Sequence, residues 1–460
     1  MPAIEPKRII LLLDGTWNDA DFGDTDTNIV RLRDLIARTL HQSSLPTQGT
    51  LPTLAQDDKN KPVSSIAYGG KDNIVFYERG VGTGALLDRW IGGVVGEGIT
   101  FSIRHAYKFL SFHYEPGDEI YIFGFSRGAY TARSLVGYIQ AVGLLRRKQC
   151  TVDNEQQAWD FYRCPPNDRL PGDWTALTSL VHDRESLRIS CLGVFDTVGA
   201  LGVPLAPFRV LNRDLYEFHD VELSSITDVN LHAIAIDEHR EPFQATVWRQ
   251  SMFKILNTRT EQVWFAGAHA DVGGGYVMQE MRTQEKLPSL DDITLDWMLK
   301  RVLHHYENFP VNKEVLWPGI PTDSRSLWIQ AEHHNSRRGV YKFLPFAIRS
   351  IGNIPVAVRG RCPIPTFRRI NVSRDRHAVA VGEMLHISAL ERLGSIVKVD
   401  SRKKEYRPQN VIDVLETIRG TYERWSHSQK MHVVNWSGDI IEPKTGDAEH
   451  VLRLLDAVSH

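Results

Sequence analysis

Residues 119–139 read EIYIFGFSRGAYTARSLVGYI, and this stretch decides the fold. An apolar run, Ile120–Phe125, has the short continuous form of a buried strand. The residues that follow Ser126 are rich in small side chains (Gly128, Ala129, Ala132, Ser134) and suit a closely packed helix. Between the two lies Gly124-Phe125-Ser126-Arg127-Gly128, a G-x-S-x-G pattern. A serine on a sharp strand-to-helix turn occupies strained backbone, so its close neighbours must lack a Cβ; its hydroxyl then projects above the edge of the sheet. An ordinary βα turn with two packing glycines is the bland alternative.

The pattern repeats outward from this turn. Arg8–Leu13 is an apolar run that stops at Asp14-Gly15, and a helical pattern covers about 29–40. Residues 42–66 read as a surface loop, and Asn73–Tyr77 as a strand ending in the glycine-punctuated turn 79–84. A helix is expected around 98–112. Residues 151–186 are polar and mixed. Arg188–Phe195 is the next strand, halting at Asp196; a helix is expected near 224–236, a strand over Gln262–Ala268, and a helix over Ile293–Leu303. Strands alternating with helices predict a mostly parallel sheet covered on both faces, an α/β-hydrolase-like fold. Most of this pattern precedes residue 305. Residues 1–305 are therefore read as the catalytic core, and 306–460 as a less regular C-terminal extension or cap packing on it.

An alkyl hydroxyl needs a base to take its proton, and that base needs an orienting acid. In this fold the chain order is serine, acid, histidine. Asp196 and His269 stand at two later strand ends and fit that order. Asp271 is the alternative acid and His386 the alternative base. The backbone N–H of Arg127 is the first expected oxyanion donor, and Gly15-Thr16, at the end of the first strand, could supply the second. The segment Leu12-Leu13-Asp14-Gly15-Thr16 also invites comparison with the aspartyl-phosphatase pattern D-x-D-G-T, but Leu12 stands where that chemistry needs its nucleophile. Acyl transfer through Ser126 calls for no metal and no organic cofactor. A metal-dependent phosphoesterase using Asp14, Asp196, Asp271 and His269 is a competing reading, and an idle hydrolase fold serving as a binding module is another.

A net charge of −2 gives no whole-protein case for nucleic-acid binding. Four scattered cysteines form neither a disulfide framework nor a metal knuckle. The N-terminal apolar run is too short for a signal-peptide core, and no stretch is long enough to span a bilayer, so a cytoplasmic protein is expected, with signal-less export as the alternative. Nothing in the pattern fixes an oligomeric state. One segment, 337–369, contains no Asp or Glu and interleaves Arg and Lys with Phe343, Leu344, Phe346, Ile348, Ile351 and Val356. It suggests peripheral contact with an anionic lipid surface, against a packed cap with solvated arginines.

Four segments taken together, LLLDGTWND, GFSRGAYTAR, LGVFDTVGALG and FAGAHADVGGGY, resemble the α/β-hydrolase family known as DUF2235, which includes the Tle1 group of type VI secretion lipase effectors. The resemblance covers about residues 8–305. It implies phospholipase A activity through a Ser-Asp-His triad, carried here by Ser126, Asp196 and His269, and an ester or phospholipid substrate. It does not extend to the large membrane-binding additions of some effectors.

Overall fold

The computed structural model describes residues 6–15, 26–43, 65–69, 71–80, 94–198, 223–251, 256–276, 288–312, 319–337, 342, 346–352, 378–423 and 430–458. Its centre is a nine-stranded sheet. The strands are β1 (Arg8–Leu13), β2 (Ser65–Gly69), β3 (Asn73–Glu78), β4 (Glu119–Phe125), β5 (Ile189–Phe195), β6 (Thr227–Ala235), β8 (Arg259–Phe265), β10 (Glu383–His386) and β13 (His432–Val434). Their order is β13-β10-β8-β6-β5-β4-β1-β3-β2. Every pairing is parallel except β2 on β3, at one edge. Two small antiparallel pairs, β7 (Arg249–Ser251) with β9 (Ala378–Ala380) and β11 (Ile396–Val399) with β12 (Arg402–Glu405), lie outside it.

The apolar runs are continuous because both faces of the sheet are covered. In β1, Ile10 and Leu12 join one core, while Ile9, Leu11 and Leu13 join the other. The first core includes the helices Asn28–Ser43 and Leu290–His305; the second includes Val94–His113 and Arg127–Val142. After β1 the chain adds β3 on one side and then β4 on the other. Strand order thus reverses at β1–β4, where open α/β sheets open a crevice beyond the carboxyl ends of their strands. Ser126 leaves β4 at that point.

Two expectations need correction. Residues 224–236 are not a helix. Thr227–Ala235 is β6, paired on both sides by β5 and β8. Its polar residues look like the wet face of a helix but are buried and satisfied: Asn230 donates to Thr260 Oγ1 at 3.3 Å, and His232 Nε2 accepts from the Thr197 N–H at 3.2 Å. Residues 306–460 do more than pack on a finished core, since they contribute β10 and β13 to its sheet. The polar stretch 151–186 holds two helices, Val152–Arg163 and Pro171–Thr178.

Candidate active site

Ser126 sits between the end of β4 and the helix Arg127–Val142 with φ 58° and ψ −119°. That positive φ is costly for a residue with a side chain, of order 1–3 kcal/mol, and needs a surrounding structure that enforces it. The enforcement is visible in the two glycines. A Cβ on Gly124 would lie 2.6 Å from the Gly128 carbonyl oxygen, and one on Gly128 would lie 2.1 Å from that of Leu13. The Ser126 N–H is tied to the Phe195 carbonyl at 3.1 Å, which joins the turn to the end of β5.

At that strand end Asp196 also has a positive φ, 38°, and is fully buried. His269 opens the short helix His269–Gly273 after β8. The Ser126 hydroxyl lies 2.8 Å from His269 Nε2, and His269 Nδ1 lies 2.5 Å from Asp196 Oδ2. With Asp196 ionised, its carboxylate accepts a hydrogen bond from Nδ1–H, which leaves Nε2 as the acceptor facing the hydroxyl. The imidazole packs against the rings of Phe125 and Phe243, at centroid distances of 4.8 and 5.3 Å. A narrow cleft of about 20 Å³ opens over Ser126 and His269, lined also by Gly15, Thr27, Arg240 and Gly275.

Burial alone would raise the Asp196 carboxyl, but the Arg349 guanidinium and His269 outweigh it and hold it well below the usual carboxylate range. Burial lowers the His269 imidazole, and its bond to Asp196 offsets only part of that. The imidazole is therefore neutral at neutral pH. Asp14, at the end of β1, is pushed up to about 6 by burial, against hydrogen bonds from Thr27, Gly15 and Tyr77.

The alternatives lie elsewhere. Asp271 accepts from the Ala268 and His334 N–H groups at 2.9 and 3.1 Å, and its other oxygen meets His334 Nδ1 at 2.6 Å. It fastens the start of the His269 helix. His386 is buried, bonded to Ser388 at 2.7 Å and stacked on Phe265. Asp14 binds Thr27 and Tyr77, so Asp14, Asp196, Asp271 and His269 do not converge, and among the described residues no group of three His, Cys, Asp or Glu side chains is placed to hold a metal.

Two further expectations change. The Gly15 N–H, expected as an oxyanion donor, donates to Asp14 Oδ1 at 2.7 Å; Thr16 lies outside the described residues. Arg127 stands at the first position of the helix behind Ser126. Arg349, in the basic segment read either as a lipid-contacting surface or as a packed cap with solvated arginines, is neither lipid-facing nor solvated but buried against Asp196, and Ile351 is buried too. Phe343, Leu344, Val356 and residues 353–369 lie outside the described residues. Among the described residues no helix is long and apolar enough to cross a membrane.

Sequence reasoning missed Arg349 and His334. Each meets its carboxylate across a large sequence separation, with no local pattern to announce it.

The family model for the catalytic domain of Tle1-like phospholipase effectors of type VI secretion matches residues 7–301. The chain belongs to this family. The match spans β1 through most of the helix Leu290–His305, and so includes the serine turn, Asp196 and His269. An uncharacterized protein of Saccharomyces cerevisiae, YEL023C, is 29% identical over 250 residues, 52% of this chain and 32% of the yeast protein. Among solved structures, an uncharacterized protein from Pseudomonas aeruginosa has a TM-score of 0.38 and 17% identity, covering 70% of this chain and 48% of that one. The Tle1 effector bound to the VgrG spike of the Type 6 secretion system has a TM-score of 0.28 and 19% identity, covering 59% and 51%. The chain thus spans less than two thirds of the length of each of these relatives.

Proposed function

We propose that the chain is a serine hydrolase cleaving carboxylic esters, of the lipase or phospholipase A kind, with Ser126 as nucleophile, His269 as base and then acid, and Asp196 as the orienting acid. The observation that carries the reading is the unbroken relay from Ser126 Oγ to His269 Nε2 and from His269 Nδ1 to Asp196, with both links at hydrogen-bond length and the serine opening on a cleft. Family membership supports a lipid ester as the substrate.

In the mechanism this geometry supports, Ser126 Oγ attacks the acyl carbonyl as its proton passes to His269 Nε2. The imidazolium is stabilised by Asp196, which remains ionised. Negative charge on the former carbonyl oxygen is met by the first-turn amides of the helix behind Ser126, beginning with Arg127, helped by the positive end of the helix dipole. His269 returns its proton to the departing alcohol, leaving an acyl group on Ser126. Water, deprotonated by the same histidine, then releases the acid. The apolar wall of Phe125 and Phe243 suits an acyl chain.

The test is hydrolysis of p-nitrophenyl esters and diacyl phospholipids by wild type and Ser126→Ala, with fluorophosphonate labelling of Ser126 in parallel. The reading expects labelling and a loss of about 10⁴-fold or more in turnover for the variant. Equal hydrolysis by both proteins would overturn it.

A further inference from the structure

The Asp196 carboxylate has a second charged partner. Arg349 Nη1 donates to Oδ1 at 2.5 Å and Nη2 to Oδ2 at 3.0 Å, a two-pronged contact that engages both oxygens. The same guanidinium donates to the carbonyls of Ala235, at the end of β6, and Phe243, whose ring packs on His269. Arg349 is 1% exposed. Its segment is anchored on both sides: the Ala347 N–H donates to the His239 carbonyl at 3.1 Å, and the Gly352 N–H to Glu383 at 3.2 Å. Arg349 also lies beyond residue 301, where the match to the family's catalytic domain ends.

We propose that Arg349 is a positioning residue of the catalytic centre, holding Asp196 as an oriented anion against His269, so that the C-terminal segment completes the site. This rests on the serine-hydrolase reading above. A carboxylate with no solvent contact protonates unless a cation or several donors hold it. One N–H from the backbone, that of Ala235, reaches Asp196 Oδ1 at 2.9 Å, and His269 supplies one more bond. Arg349 supplies the charge and fixes the plane of the carboxylate, and planar two-point contact is what a guanidinium offers and an ammonium does not.

Among the described residues, the other charged and titratable groups facing this pair are His232 on β6, with Arg133 behind it, and the Arg240–Glu238 pair beside His269. Arg240 and Glu238 neutralise each other through two bonds at 3.0 and 2.9 Å. Without Arg349, two responses are open to the site. Asp196 takes up a proton and ceases to support the imidazolium, or it stays ionised and places its whole charge on His269, raising the imidazole. Both move the acid limb of Ser126 reactivity to higher pH. A role in packing alone would lower reactivity evenly across pH.

The experiment follows the rate of fluorophosphonate labelling of Ser126 against pH in the full chain, for wild type, Arg349→Met, Arg349→Lys, Asp196→Asn and the double variant Asp196→Asn/Arg349→Met. The expected result is an acid limb displaced upward by about one to three pH units in Arg349→Met, with Arg349→Lys in between. The double variant is expected to label no more slowly than Asp196→Asn alone. If Arg349→Met fails to fold, Arg349→Lys and the double variant, which buries no uncompensated charge, carry the same comparison. An unmoved acid limb in folded Arg349→Met or Arg349→Lys overturns the proposal, as does a further loss in the double variant. A wild type that takes no label at Ser126 overturns the hydrolase reading, and the assignment of Arg349 falls with it.

Discussion

Gly128 and Leu13 meet so closely that a Cβ on the glycine would stand 2.1 Å from the Leu13 carbonyl oxygen. The end of β1 and the first turn of the helix behind Ser126 are thus in backbone contact, and this contact fixes the height at which the serine emerges from the sheet. Backbone cannot give way as a flexible side chain can. Gly128→Ala is therefore expected to destabilise the fold by about 3 kcal/mol or more, read by urea denaturation, and to abolish Ser126 labelling even where the protein still folds.

The strain at Ser126 sets stability against activity. Its φ of 58° is one a glycine adopts freely. Ser126→Gly is expected to raise stability by about 1 kcal/mol while eliminating hydrolysis. Thermal unfolding and ester turnover measured on the same preparation check both signs, and a variant less stable than wild type would contradict the strain argument.

Asp196 and Asp271 are separated by what each one holds. Asp196→Asn is expected to cost about 10⁴-fold in turnover, since the amide cannot hold His269 in the needed tautomer. Asp271 instead accepts from the Ala268 and His334 N–H groups. Asp271→Asn should lose about 1–3 kcal/mol of stability and less than tenfold in turnover. The reverse ranking in kcat would make Asp271 the acid.

The pH profile of turnover follows from His269. Its imidazole is lowered from 6.5 by burial, so the neutral base persists below the ordinary histidine range. The acid limb of kcat/KM for a neutral ester should have its midpoint below pH 6.5, and a midpoint at or above that value would refute the assignment.

Stability should show two opposite slopes. His269 and Asp196 are both lowered in the folded chain, so the stability they contribute is present at neutral pH and declines as acid protonates the unfolded state first. Asp14 is raised from 3.8 to about 6, so its contribution is present below 3.8 and is lost as pH climbs through 6. Asp14→Asn cannot ionise there. Relative to wild type, this variant should gain about 3 kcal/mol on moving from pH 3.5 to pH 8, measured by chemical denaturation at each pH.

Much of this molecule could be read from its sequence because the signals are local. Continuous apolar runs ending in Asp or Gly give strands with both faces covered, and two glycines flanking a serine give a turn that only glycines can make. Those signals sufficed for the parallel sheet, the position of Ser126, and the strand-end placement of Asp196 and His269. The strand β6 is not legible locally because Asn230 and His232 are satisfied by Thr260 and Gln262 of β8, and a polar residue buried in that way has the same spelling as one facing water. The tertiary structure alone decided which carboxylate meets His269, that Asp14 holds the Gly15 N–H, that β10 and β13 widen the sheet, and that a basic, proline-broken stretch sends Arg349 inward to Asp196. Each of these is a contact between residues distant in the chain. Periodicity and turn chemistry act over a few residues, whereas the pairing of buried charges is settled only when the whole fold brings them together.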